Sequence, residues 1–270
     1  MVGAAVQSLW AGTGAVPTPA QTLYPLMLLS LRVATIFGMT PLLYAMPVPA
    51  RVKVLLVIAL SIAIANGLAA QPVTPLDTSN WLVSALREIA LGATLALGVL
   101  LAFAVFTVAG QMLDIQIGFG LAQVFDPMNN KPSPILVSAF NTLAILVFFL
   151  MDGHHALLRG IAYSVERFPV GASWFISDAW VPIVKQVSGM FSLGFALAAP
   201  VVFSILLVEL ALGVVARNLP QVNMFSMGIP LKIVVGMAVV SLWFGLMGGV
   251  MMRVYATIYQ TWDAIFTRAA

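Results

Sequence analysis

Arg32, Arg87, Glu88 and Glu209 are ionisable residues set inside long apolar stretches of this 270-residue chain. Such a group is costly at membrane depth, so it faces protein, water or another charge. Two kinds of chemistry fit. One is a proton or ion path. The other is packing, with a charge paired at an interface or reaching back to the membrane boundary. Arg87 and Glu88 lie one or two turns from the start of their segment, which suits packing. Glu209, eight residues before Arg217, suits an interhelical hydrogen bond or a functional group equally. In an ion-coupled transporter, Glu209 and Asp114 would be the coupling sites. Inverted repeats mark that class, and none is visible.

The only histidines are His154 and His155. Neighbours in sequence do not face one another on a helix, and apart from Asp152 no third ligand accompanies them. "DGHH" reads as a helix-ending turn with Gly153 as the stop, and no metal site is expected. There is no GxSxG, no Walker loop and no GxGxxG opening a helix. An enzyme is not expected, and neither is a cofactor. Cysteine is absent, which removes disulfides and thiolate metal sites.

Composition fixes what must hold these groups. The chain is 61% hydrophobic and 8% charged, with mean hydropathy +1.06. A soluble domain is about one quarter charged, so the chain reads as an all-α integral membrane protein. Spanning the ~30 Å hydrocarbon layer takes about 20 apolar residues as a helix. Six apolar segments are predicted: Leu23–Ala45, Val54–Ala70, Trp81–Ala109, Ile135–Met151, Ser188–Ala216 and Ile233–Met252. Pro41 and Pro200 should kink two of them. "HALLRGIAYSVERF" carries a weak helical pattern, and the tail after Met252 should continue the last helix with aromatics near an interface. The positive-inside rule does not orient the chain. Arg51, Lys53, Lys131, Arg217 and Lys232 would face one side, and Arg159, Arg167, Lys185, Arg253 and Arg268 the other. That balance fits helices held by partner subunits. The basic residues are scattered singly, so nucleic acid is not expected as a partner.

The strongest local signal is "QIGFGLAQVFDPMNNKPSP", residues 116–134. Irregular backbone at membrane depth is tolerated where protein covers it or where it lines a watery cavity. Gly118 and Gly120 permit tight bending. Phe119, Leu121, Val124 and Phe125 supply bulk for an apolar constriction that gates by excluding water. An ordinary loop lying on the bundle is the alternative.

Six motifs in order, "PVPARVK", "GQMLDIQIGFGLAQVFDP", "DGHHALL", "ERFPVG", "ELALGVVARNLPQVNMF" and "GIPLKIVVG", resemble the FliR/SctT family of type III secretion export-gate proteins over about residues 25–250. "GIPLK" after "LPQVNMF" looks flagellar rather than injectisome. The resemblance implies a non-enzymatic subunit in the bacterial inner membrane and the flagellar basal body. One copy would join FliP-like and FliQ-like subunits in a closed helical assembly, with FlhB-like and FlhA-like proteins around it. That assembly would form the entrance pore for unfolded export substrates. It further implies a division into an N-terminal segment 1–22, a FliP-like helical part 23–187 with a plug loop at 111–134, a FliQ-like hairpin 188–252 and a tail 253–270. The family's plug pattern maps onto Gln116, Gly118, Asp126 and Pro127. Phe119, Gly120, Leu121 and Phe125 between them would fill the pore. Arg32, Glu209 and Arg217 are the expected buried polar or interface positions.

Overall fold

The computed structural model describes residues 19–41, 48–67, 80–119, 134–172, 174, 177, 179–219 and 223–268. Among these residues there are eight helices and no strand. They are α1 (Pro19–Met39), α2 (Ala50–Gly67), α3 (Trp81–Ile117), α4 (Ile135–Leu150), α5 (Gly153–Arg167), α6 (Trp180–Asn218), α7 (Met224–Phe244) and α8 (Gly248–Arg268). The all-α membrane class therefore stands. Four of them are long and apolar enough to cross a membrane: α2, α3, α6 and Ser226–Phe244 of α7. The apolar part of α1, Leu23–Met39, is shorter than a span.

Several boundaries differ from those expected, each for a local reason. α1 stops at Met39 because Pro41 disfavours helical backbone at Thr40, which forms a bend with helical backbone again at Pro41. α3 does not stop at Ala109 but runs to Ile117. Residues 111–117, expected as the first part of the plug loop, are thus helix. The break comes at Gly118, whose φ of 102° suits glycine and whose N–H donates to Asp114 O at 3.2 Å. At "DGHH" the stop is not Gly153, which opens α5. The turn is made by Met151 and by Asp152, in the left-handed region with φ 54°. Aspartate tolerates that region better than most residues.

α6 begins at Trp180 and runs 39 residues with Pro200 inside. With α3 it reaches roughly 55–60 Å of contour at the usual rise per residue, near twice the ~30 Å hydrocarbon layer. Pro200 leaves the Ala196 carbonyl without its helical donor. The Trp243 indole N–H donates to the next carbonyl, Leu197 O, at 2.8 Å. The expected connection 217–232 shortens, because α6 runs to Asn218 and Asn223 caps α7: its Oδ1 accepts from Ser226 N at 3.3 Å. Lys232 therefore lies within α7.

The tail departs furthest from expectation. The last segment ends at Phe244, and a turn built on Trp243 O, which accepts from Leu246 N and Met247 N, starts the separate helix α8. Met251, Val254, Ile258, Trp262 and Ile265 form a buried stripe along it, spaced by three and four residues as a core-facing helix requires.

The chain forms two compact units, interleaved in sequence. One holds the described residues of Met1–Leu100, Asp152–Ile183 and Tyr259–Ala270. Its core centres on Leu29, Val33, Leu95, Ile161 and Trp262. The other holds Leu101–Met151 and Val184–Ile258. Its core is aromatic: the Tyr255 ring lies 5.5 Å from Phe148, 5.7 Å from Phe106 and 5.9 Å from Phe103. The Tyr255 hydroxyl donates to Ala144 O at 2.5 Å, and burial pushes its pKa up. The divisions expected at 187/188 and 252/253 fall inside α6 and α8, so no break in the backbone marks either one.

Candidate functional site

Arg32 sits in the middle of α1 and Glu88 in the second turn of α3, both almost fully buried, at 1% and 2% exposure. They meet as a fork: Arg32 Nε donates to Glu88 Oε2 at 2.6 Å and Nη2 donates to Oε1 at 3.0 Å. The remaining donors are taken by backbone and by Ser164. Nη1 reaches Ser164 O at 3.1 Å and Nη2 reaches Phe168 O at 3.0 Å. Glu88 Oε1 also accepts from Gly171 N at 2.9 Å. The motif "ERFPVG" therefore supplies the floor of an ion pair whose two members lie 56 residues apart. Gly92, one turn beyond Glu88, lets α3 approach closely, since a Cβ there would lie 2.8 Å from Arg32 O. Every guanidinium nitrogen has a partner, so the charges are committed to holding α1, α3 and the end of α5 together. Packing is thus the reading that the geometry favours over an ion path. Arg87 is only half-buried.

Asp114, the other coupling candidate, is equally committed. Its two carboxylate oxygens accept from Leu136 N and Val137 N, both at 3.1 Å. Glu209 on α6 pairs with Lys232 on α7, and both side chains keep some exposure, at 38% and 26%. Arg217 is exposed in the last turn of α6, where a positive charge suits the helix C-terminus. It is not one of the buried polar groups.

Of the plug positions, Gln116 is half-buried on the last turn of α3, Gly118 ends that helix, and Phe119 follows it half-buried. A Cβ on Gly118 would come 4.0 Å from Ile229 Cγ2 of α7. Gly120, Leu121, Phe125, Asp126 and Pro127 lie outside the described residues.

Asp152, His154 and His155 bring donor atoms within 4.8 Å of one another, and Asp152 Oδ1 stands 3.4 Å from His155 Nδ1. A carboxylate with two imidazoles is a donor set for a divalent transition ion. The three residues are those considered from the sequence; they lie at the turn into α5, with Asp152 and His155 exposed.

Two pairings escaped the sequence altogether: Arg32 with Glu88, and Glu209 with Lys232. The carboxylates were visible as isolated charges, but nothing local marks their partners.

The fold and its charges define a polytopic helical membrane protein whose buried ionic groups serve as fastenings. Comparison with known proteins gives this class a family. Residues 23–258 match the model described as "Bacterial export proteins, family 1". The flagellar biosynthetic protein FliR of Bacillus subtilis is 32% identical over 243 residues, 88% of this chain and 93% of that protein. The Escherichia coli protein of the same name is 32% identical over 211 residues, 78% and 80% of the two chains. The Yop proteins translocation protein T of Yersinia pestis is 28% identical over 181 residues, 66% and 69%. The chain belongs to this bacterial export family, the FliR/SctT family.

Proposed function

We propose that the chain is a non-enzymatic subunit of the flagellar type III protein export gate in the bacterial inner membrane, at the flagellar basal body. Membership over residues 23–258 carries this reading. The flagellar branch is preferred to the injectisome branch because relatives with flagellar names reach 32% identity over more of the chain, against 28% for the Yersinia protein. Ion-coupled transport loses its support, because Asp114 and Glu209 are both engaged as acceptors within the chain.

In the proposed assembly, FliP-like and FliQ-like subunits pack on this chain, and FlhB-like and FlhA-like proteins surround the complex. The exposed apolar surface is in keeping with that. α2 is apolar beyond Arg51 and Lys53 and mostly exposed, with Ser61 its one buried residue. α6 exposes Phe191, Phe195 and Phe203. Coexpressed with FliP-like and FliQ-like chains, the protein should copurify with them in a single complex. Expressed alone it should be unstable; a well-behaved isolated monomer would count against this assembly.

The segment after α3 would plug the pore for unfolded substrates. What supports this is the sharp end of α3 at Gly118, with φ 102°, where the family's pattern sets the plug. Deleting Gly118–Phe125 should leave the complex assembled and make the membrane leaky to small solutes. Normal conductance and growth in an assembled deletion would remove the plug from the proposal.

A further inference from the structure

We infer that Asp114 is a positioning residue for the proposed plug: its carboxylate caps α4 from α3 and so ties the end of α3 to the start of α4, the two described elements on either side of the proposed plug. This rests on the plug reading. α4 cannot cap itself, because its N-cap residue is Pro134, which makes no side-chain cap hydrogen bond. The amides that a local cap would serve are those of the second and third helical residues, here Leu136 and Val137. Those are the two that Asp114 takes, one per carboxylate oxygen, from a site 3% exposed. A negative charge there also meets the positive end of the helix dipole.

Two glycines make the geometry work. Gly110 lies one turn before Asp114, and a Cβ on it would fall 2.7 Å from Val137 Cα. α3 and α4 therefore touch backbone to backbone at the height from which the carboxylate reaches across. Gly118 lies one turn after, and its N–H donates to Asp114 O. The Asp114 side chain thus fastens the last turns of α3 to the first turn of α4. If the plug seals a pore, its reach is set by how firmly those two ends are held.

A cap and a clamp predict different rescues. Pro134→Ser puts a local cap back on α4 without restoring any link to α3. In the assembled complex, Asp114→Ala combined with Pro134→Ser should regain wild-type complex levels yet leak small solutes severalfold above wild type. Asp114→Asn, with one acceptor oxygen left, should fall between. Tightness equal to wild type in the double variant, while deletion of Gly118–Phe125 leaks, overturns the clamp and leaves the plug standing. Failure of all Asp114 variants to assemble, even with the local cap, makes the residue structural alone and overturns it too.

A second readout does not involve leak. The chain lacks cysteine, so nitroxides can be placed at the exposed Ile115 and Ile135. Dipolar broadening between them should be strong in wild type and weakened in the double variant. If the deletion proves tight, the plug reading fails by itself; unchanged broadening in the double variant refutes the clamp whatever the deletion does.

Discussion

Glu88→Ala should take away a large share of the protein's stability. The substitution strands the Arg32 guanidinium, 1% exposed, among Ser164 O, Phe168 O and apolar side chains, with no counter-charge. Removing one member of a buried pair costs about 3–5 kcal/mol, against a total stability of roughly 5–15 kcal/mol for a folded protein. The loss also frees Gly171 N, which donates to Glu88 Oε1, so the turn after α5 loosens with the helix pair. Thermal unfolding of the purified complex and its yield are the measurements. Glu88→Gln should be milder than alanine, since the amide oxygen keeps one acceptor for Arg32 or Gly171. Arg32→Met with Glu88→Leu should be milder than Glu88→Ala, because no charge is left buried alone, although Gly171 N still loses its acceptor. An alanine variant as stable as wild type would mean that the pair is not the fastening described. A stable variant with altered ion conductance would revive the path reading.

This case shows where the sequence is legible. Low charge and high hydropathy required a helical membrane protein, and each of the six apolar segments overlaps a helix, although a turn at 245–247 splits Ile233–Met252. The ends differ from expectation where one residue type has two uses. Gly110 follows directly on the expected end of the segment at Ala109. Here it is the contact point of α3 with Val137, and the helix passes through it for seven more residues, to Ile117. Asp114 looks like a loop carboxylate because its partners, the amides of Leu136 and Val137, belong to another helix. The tail misled for a related reason. Arg253, Gln260 and Asp263 lower its hydropathy below that of a span, and its aromatics then suggest an interface. The spacing of Met251, Val254, Ile258, Trp262 and Ile265 was the available signal for a core-facing helix. No local signal pairs Arg32 with Glu88 across 56 residues. Only the rule that a buried charge needs a partner says that some pair must exist.

The tail gives the last large effect. Trp262 is 2% exposed, and its indole N–H donates to Leu95 O at 3.0 Å. The ring also lies over Gly160 of α5, where a Cβ would fall 2.3 Å from Trp262 Cζ3 and 2.6 Å from Cε3. Trp262→Ala therefore opens a cavity and should cost about 3–5 kcal/mol, seen as a large drop in the unfolding midpoint. Gly160→Ala should be comparably harmful from the opposite side. The methyl group has no room, and the ring cannot retreat without giving up its bond to Leu95. The two sites should be strongly coupled. Gly160→Ala placed on a Trp262→Leu background should cost far less than on wild type, because the shorter side chain vacates the space that the methyl group needs. A double-mutant cycle measures this directly, and contacting residues give coupling of roughly 0.5–3 kcal/mol. Additive effects would mean that α8 does not pack on α5 through this ring. An aromatic residue resting at a membrane interface would tolerate leucine at 262 and be indifferent to alanine at 160, so the cycle separates a core helix from a surface tail.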